Sequence, residues 1–425
     1  MILIGVALVL FALFGAPLFA VIAACALWGF HVAGVDLSVM AIEIYRIAET
    51  PVLLAIPLFT FAGYLLSESQ APHRLVRMTN ALIGWLPGGL AIVSLAVCAI
   101  FTAFTGASGV TIIALGALLF PALRESGYPE KFNLGLVTTS GSLGLLFAPS
   151  LPLILYGIVA QQMNVGAAVS IEDLFLAGFF PGLLMLVLLS LWSVWSNRSN
   201  RTPMRSFTWK EVRGALHEAM WELPLPIFVL GGIYSGYFAV SEAAAVTALY
   251  VLVVEVVIQR EISLRQLPGV MRKSMVLVGG ILIILAVSLA SANYMIDAGI
   301  PTKLFQYINA HVSSRLTFLV LLNIFLLVLG AILDIFSALV LVVPLILPVA
   351  VGYGIHPVHL GIIFLANMQI GYLTPPVGLN LFISSYRFKK PISEVYWSTL
   401  PFFLILLATV LVITYWPALS LGLLG

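Results

Sequence analysis

The chain has 425 residues, of which 62% are hydrophobic and 8% charged, and its formal net charge is +2. So little polar surface cannot cover so large an apolar content in water; the composition excludes a soluble globular protein and defines a polytopic membrane protein. No soluble domain is left over, and no nucleic-acid partner is expected.

The N-terminus lacks the basic segment and small-residue cleavage site of a secretory signal, so residues 2–30 are expected to form a first transmembrane helix. Apolar runs near the length of about 20 residues that crosses a bilayer predict further helices at 51–68, 131–163, 172–196, 222–238, 241–258, 274–296, 358–387 and 398–420. Two more runs, 88–123 and 315–350, are each too long for one span and are interrupted by TGASG at 105–109 and GAILD at 330–334. Each is either a pair of short spans or a re-entrant hairpin. The polar, partly amphipathic segments Asp36–Glu49, Gln70–Trp85 and Thr302–Arg315 suit either interfacial helices acting as struts or solvated loops. Ser196–Glu222, the longest polar stretch, connects two halves, and Cys25 and Cys98 lie in apolar spans without metal-ligand or disulfide spacing, as packing residues.

Charge selects between the readings of the long runs. With a cytoplasmic N-terminus and two re-entrant hairpins, only Arg46, Lys303 and Arg315 fall outside, leaving 16 of the 19 basic residues, Arg201 and Arg205 of the connector among them, on the cytoplasmic side. Reading one hairpin as two crossings would invert every later loop. The C-terminus is then periplasmic, and the two halves have opposite topology.

The halves also share a pattern. Pro121, Gly127, Gly144 and Pro149 recur at one constant offset as Pro348, Gly354, Gly371 and Pro376. Each half carries a hairpin run followed by a stretch interrupted at a proline cluster, FAPSLP at 147–152 and LTPPVG at 373–378. The expected fold is all-α, with a first inverted repeat over 1–196, a connector over 197–221 and a second repeat over 222–425. Broken helices at matching places in two halves point to a secondary transporter's binding site, because freed backbone groups at mid-membrane persist only where they line a cavity.

At such breaks, half-helix N-termini attract an anion and half-helix C-termini offer carbonyl oxygens to a hard cation such as sodium, supplemented by hydroxyls. Candidate sodium ligands are Thr105, Ser108, Gly144, Phe147 and Pro149 in the first half, and Gly330, Asp334, Gly371, Thr374 and Pro376 in the second. Any of these glycines or prolines could instead serve only to bend its helix. Asp334 either binds a cation or caps the following helix. Ser108, Ser150, Thr374 and Asn380 are the candidate substrate contacts, and no transition metal or organic cofactor is expected. Gly106-Ala107-Ser108-Gly109 also fits the G-x-S-G pattern of intramembrane serine proteases, but all six histidines fall at span ends or in loops, out of reach of Ser108. No Walker-type motif supports an ATP-driven pump.

Seven blocks in order carry a family resemblance: AIPLFTFAGYLL at 55–66, FPALRESGYP at 120–129, FAPSLPLILYG at 147–157, LFLAGFFPGLL at 174–184, GGIYSGYFAVSEAAAV at 231–246, GAILD at 330–334, and the region 344–382 with NMQIGYLTPPVGLNLF. The chain resembles the large membrane subunit of TRAP (tripartite ATP-independent periplasmic) transporters. It departs from the family at Gly106-Ala107-Ser108, where Gly-Ser-Ser is commoner, and at Ala148-Pro149, where two prolines are commoner. The resemblance implies sodium-driven uptake of an organic acid (a C4-dicarboxylate, a sialic acid, or a related sugar or keto acid) across the bacterial inner membrane. It also implies a separate small four-helix membrane subunit, a periplasmic substrate-binding protein, and elevator motion of both hairpins and broken helices past a scaffold that includes 172–196. A stand-alone sodium/dicarboxylate symporter of the same architecture is the alternative.

Overall fold

A computed structural model of the chain describes residues 10–11, 14–86, 88–198 and 207–424. Leu18–Val32 (α1) starts after Gly15, at φ +88°, and Pro17, so the single helix expected over 2–30 is interrupted there. Residues 1–9, 12 and 13 of that expectation lie outside the described residues. Ser38–Ala48 (α2) is the first amphipathic segment, and a 3-10 turn at Pro51–Leu54 leads into Ala55–Glu68 (α3). Ala71–Ile83 (α4), the second amphipathic segment, begins with Pro72 in its first turn, where a missing N–H costs nothing.

Gly89–Thr105 (α5) and Ser108–Glu125 (α6) are the arms of the first hairpin. They turn at Gly106, whose φ of +64° a side chain would resist. Glu130–Ser140 (α7), a 3-10 turn at Leu143–Leu146 and Leu151–Met163 (α8) form the first broken helix, with helical bonding lost across 147–150 at Pro149. Ile171–Ser196 (α9) opens on Ser170, whose hydroxyl accepts the Asp173 N–H at 2.9 Å.

In the connector, Trp209–Glu218 (α10) is helical, while Arg201 and Arg205 lie outside the described residues. Pro224–Tyr234 (α11) stops before Gly236, at φ +75°, and is shorter than the span expected over 222–238. Val240–Leu252 (α12) runs on through a π-helical turn at Val253–Ile258. Leu267–Asp297 (α13) begins ahead of its expected start at 274, because Arg272 and Lys273 end the apolar run without ending the helix.

Ile300–His311 (α14) is the third amphipathic segment. Arg315–Ile332 (α15) and Ile335–Gly352 (α16) form the second hairpin, and Pro357–Gly371 (α17) with Leu379–Phe388 (α18) the second broken helix. The chain closes with Ile392–Tyr415 (α19) and Ala418–Leu421 (α20), set off by Pro391 and Pro417 and shifted from the expected 398–420.

Nine described helical stretches are long and apolar enough to cross a membrane, but they are not the nine expected from sequence. The hairpin arms α6, α15 and α16 qualify, whereas α1, α11 and α17 are too short. Cys98 is buried in α5, while Cys25 lies on the exposed side of α1 instead of packing.

The helices pack as two sets joined by α3 on α5 and by α13 on α16. α1 and α3 lie on α13, and α3 also on α12, whereas α5 to α9 pack among themselves and with α17 to α19. The amphipathic α4 and α14 lie against one arm of each hairpin, α5 and α16 respectively. The second arm of each hairpin packs on the post-break helix of the other half: α6 on α18, where Phe120 stacks on Phe388 at 4.8 Å, and α16 on α8. Tyr156 of α8, fully buried, donates its hydroxyl to the Pro357 carbonyl at 2.6 Å and joins the halves again.

Candidate functional site

The first break rests on the first hairpin. A Cβ at Gly144 would fall 2.2 Å from the Ala99 carbonyl oxygen and 2.5 Å from the Ala103 nitrogen, so only glycine allows α5 and the break to approach this closely. The buried Thr102 hydroxyl donates to the Gly141 carbonyl at 2.9 Å and lies 2.7 Å from the Thr111 hydroxyl, linking both arms to the break. Beside it are Thr105, the last residue of α5, and Ser108, the first of α6, both buried. The Thr105 hydroxyl has no protein partner. Gly144 thus rests on Ala99, Thr102 and Ala103 of α5, while the Ser108 carbonyl lies beside Gly141.

The side chains of two first-half candidates, Phe147 and Ser150, are engaged elsewhere. The Phe147 ring turns away, toward Gly182 and Phe179, and lines an apolar cavity of about 320 Å³ with Ala99, Ala103 and Leu183. Only its backbone faces the break, its N–H bonded to the Gly144 carbonyl at 3.0 Å. Ser150 is fully buried with its hydroxyl donated to the Leu145 carbonyl at 2.6 Å; it stabilises the bend and is not a free substrate contact. Pro149 is buried, and the Ala148–Pro149 peptide is cis, as is Pro375–Pro376 in the second half.

At the second site Gly330 is not the hairpin tip. The helix continues to Ile332, the turn falls at Leu333–Asp334, and Gly330 instead touches Gly371 backbone to backbone. Asp334 caps α16: one carboxylate oxygen accepts the N–H groups of Phe336 and Ser337, each at 3.0 Å, and the other accepts the Ser337 hydroxyl. The tip is tied to the break, because the Ala331 carbonyl accepts the Val377 and Gly378 N–H groups at 3.2 and 3.1 Å and the Ile335 N–H donates to the Tyr372 hydroxyl at 2.8 Å. The Thr374 hydroxyl donates back to the Ile370 carbonyl at 3.1 Å, and Pro376 is exposed.

Asn380 joins the two breaks. Its amide donates to the Thr138 carbonyl at 3.3 Å, its N–H to the Tyr372 carbonyl at 3.2 Å, and its side-chain oxygen, though buried, has no protein partner. Buried polar atoms are nearly always hydrogen-bonded, so those without a protein partner mark places where a polar ligand would be welcome. Besides Thr105 and Asn380 they include the hydroxyls of Thr139 and Ser384 and both amide atoms of Gln369. These last three were missed from sequence. Their one signal is a polar residue beside a break in an otherwise apolar helix, as in the run TTSGS at 138–142.

Among the described residues no group of three or more His, Cys, Asp and Glu is placed to hold a metal ion. His359, the buried histidine of α17, is engaged with the Ser420 hydroxyl at 2.6 Å and the Thr414 carbonyl at 3.2 Å.

Paired hairpins and broken helices meeting at buried polar groups define a multi-pass membrane transport protein. The family model of the tripartite ATP-independent periplasmic transporter, DctM component, matches residues 4–419, and the chain belongs to this family of permease components; it is not an enzyme. It is 35% identical over 385 residues to the C4-dicarboxylate TRAP transporter large permease protein DctM of Pseudomonas aeruginosa, covering 90% of this chain and 88% of that protein. With the protein of the same description from Rhodobacter capsulatus it shares 33% identity over 403 residues, covering 93% and 91%. A crystal structure of the Alcanivorax borkumensis YdaH transporter has a similar fold, with a TM-score of 0.62, 14% identity, and coverage of 89% of this chain and 87% of that one.

Proposed function

We propose that the chain is the large permease of a sodium-coupled uptake system for an organic acid anion: a C4-dicarboxylate, a sialic acid, or a related sugar or keto acid. The observation that carries this reading is the pairing of a hairpin tip with a helix break in each half, at one spacing. The offset that relates Pro121 to Pro348 carries the bounds of α6 onto those of α16, and it carries the first cis peptide onto the second. On this reading the halves are inverted repeats in the bacterial inner membrane, with the N-terminus cytoplasmic and the C-terminus periplasmic.

The N-termini of α6 and α8 would direct N–H groups and positive dipole ends toward the substrate carboxylate, whereas the N–H groups that open α16 are already taken by Asp334 and Tyr372. The C-terminal carbonyls of α5, α7, α15 and α17, with the free Thr105 hydroxyl and Ser108, would hold sodium. Asn380 is the favoured polar contact for substrate. A sodium ion beside the anion improves the field that the anion meets, so each raises the affinity for the other, which is coupling. The substrate would be delivered by a periplasmic binding protein, and a separate four-helix subunit would complete the membrane part.

The deciding experiment is uptake into proteoliposomes holding all three components, with sodium and proton gradients imposed separately. Uptake should follow the sodium gradient. Thr105→Ala and Ser108→Ala should raise the sodium concentration for half-maximal uptake by roughly tenfold, the loss expected for a hydrogen-bonding partner of a charge. Full uptake on a proton gradient in sodium-free medium would overturn sodium coupling. Full uptake by this chain alone would favour the stand-alone symporter.

A further inference from the structure

Away from the breaks, the connector helix α10 has three different sides. Val212, Ala215 and Ala219 are buried, the two alanines in a small apolar core with Met78 of α4. Glu211 and Glu218 face a second side, where Arg77 of α4 holds both: its Nε lies 2.9 Å from Glu211 Oε1 and its Nη1 contacts Glu218 Oε1. Trp209, Arg213 and His217 recur every four residues along the third side, with Lys210 beside them, and all four are exposed. Both acids of the helix are thus engaged by α4, while Lys210 and Arg213 have no ion-pair partner among the described residues.

The exposed side is aromatic as well as basic. Trp209 leaves 75% of its surface bare, and the exposed Phe207 ring meets it edge-on at 5.5 Å and meets Trp85, just past the end of α4, at 6.1 Å. Three apolar helices begin or end at this level. α5 starts shortly after Trp85, and a Cβ at Gly88 would fall 3.1 Å from Val194 near the end of α9. α9 ends beside Trp195, whose exposed ring lies 5.1 Å from the Arg198 guanidinium, and α11 starts after Trp221 and Leu223, the latter packed on the Met78 core. Tryptophan gathers where a bilayer meets water, and a helix with a basic and aromatic side lies flat at that depth. Bulk water solvates the charges but leaves the rings bare; hydrocarbon takes the rings but not the charges. A headgroup layer takes both, and an anionic one supplies the counter-charge that Lys210 and Arg213 lack.

We infer that the exposed side of α10, with Phe207, is a docking surface for anionic phospholipid headgroups: Trp209 and Phe207 sit among them, and Lys210 and Arg213 pair with their phosphates. The inference rests on the bilayer placement of the surrounding helices and is independent of sodium coupling and of the substrate. It gives the connector a place on the membrane surface beside the first hairpin, because α4 packs on α5 as well as on α10.

The test is quenching of Trp209 by phospholipids brominated near the headgroup end of their chains, in nanodiscs holding the full chain. The Trp209 share of the fluorescence is the difference between the wild type and Trp209→Phe. At equal mole fraction, brominated phosphatidylglycerol should quench that share more than brominated phosphatidylcholine does. Lys210→Gln and Arg213→Gln should each lower this preference, by up to about fivefold, and together abolish it. Arg213→Lys should keep it, and raised salt should shrink it. Quenching of Trp209 by aqueous acrylamide and by neither lipid would overturn the docking, and equal quenching by both lipids would overturn the reading of charge. Inorganic phosphate that abolishes the preference at fixed ionic strength would give the two cations to a soluble anion instead. Loss of lipid quenching on adding the small membrane subunit would give the surface to a protein, and either result would overturn the proposal.

Discussion

Gly330 and Gly371 meet back to back: a Cβ on Gly371 would lie 2.5 Å from the Gly330 Cα, and one on Gly330 would lie 3.0 Å from the Gly371 Cα. In the first half Gly144 makes the equivalent approach to Ala99 and Ala103. In each half the break is seated directly on the first arm of its hairpin.

Methyl groups at these contacts should separate the pieces of the site. Gly371→Ala faces backbone atoms that cannot step aside, and its overpacking should cost about 1–3 kcal/mol. Uptake should fall by at least about fivefold, on the scale of about 1.4 kcal/mol per decade, while the protein still inserts. Gly330→Ala, with a longer approach, should lose less. Proteoliposome uptake beside melting temperatures checks the order, and equal activity in both variants would contradict the seating of break on hairpin.

Asp334 offers a test of cap against cation ligand. Asn is as good a helix cap as Asp, so Asp334→Asn should keep most uptake, whereas Asp334→Ala should lose about 1 kcal/mol of stability. If both raise the sodium requirement equally, the carboxylate charge is used for the cation and the cap is incidental.

Much of this was readable in the sequence because proline and glycine act locally. Pro149 and Pro376 stand in the breaks, whereas Pro121 and Pro348 are carried inside helices, and Gly106 can turn a hairpin on its own conformational freedom. Gly330 looked the same but is glycine for a different reason, the approach of Gly371, which is a contact between positions far apart in the chain and leaves no local trace. Ser150 stands beside the break, but the direction of its hydroxyl is set by the Leu145 carbonyl and cannot be read from its position alone. Residues 172–196 read as scaffold, and the close seating of Gly178 and Gly182 of α9 against the Leu146 carbonyl and the Phe147 ring is a long-range contact that left no local trace. Thr139, Ser384 and Gln369 are ordinary residues whose interest lies only in what surrounds them.

Motion can be tested against a helix that touches the first tip. On α3 a Cβ at Gly63 would come within 2.7 Å of the Thr105 Cα. In a background lacking Cys25 and Cys98, cysteines at Thr105 and at successive positions over 56–66 should crosslink at two separated sets of positions. Sodium and substrate should shift the balance between them. One unchanging set would favour local gates around a stationary site over an elevator.

Orientation can be checked independently. A reporter inserted near Glu218, in the connector, should be cytoplasmic, and one fused after Gly425 should be periplasmic. Finding both on one side would remove the opposite topology of the halves, and with it at least one re-entrant hairpin.

The exchange of partners between halves, α6 on α18 and α16 on α8, also bears on how the protein is made. When the ribosome has reached Ser196 at the end of the first half, α6 still lacks the neighbour it will pack on, and Thr138 lacks Asn380. The first half then has its hairpin packed on α3, α4, α7 and α9 but α6 without its α18 neighbour until nearly the whole chain has emerged. Assembly of the site is thus a late event in biosynthesis, and truncation anywhere before Phe388 leaves both breaks unfinished.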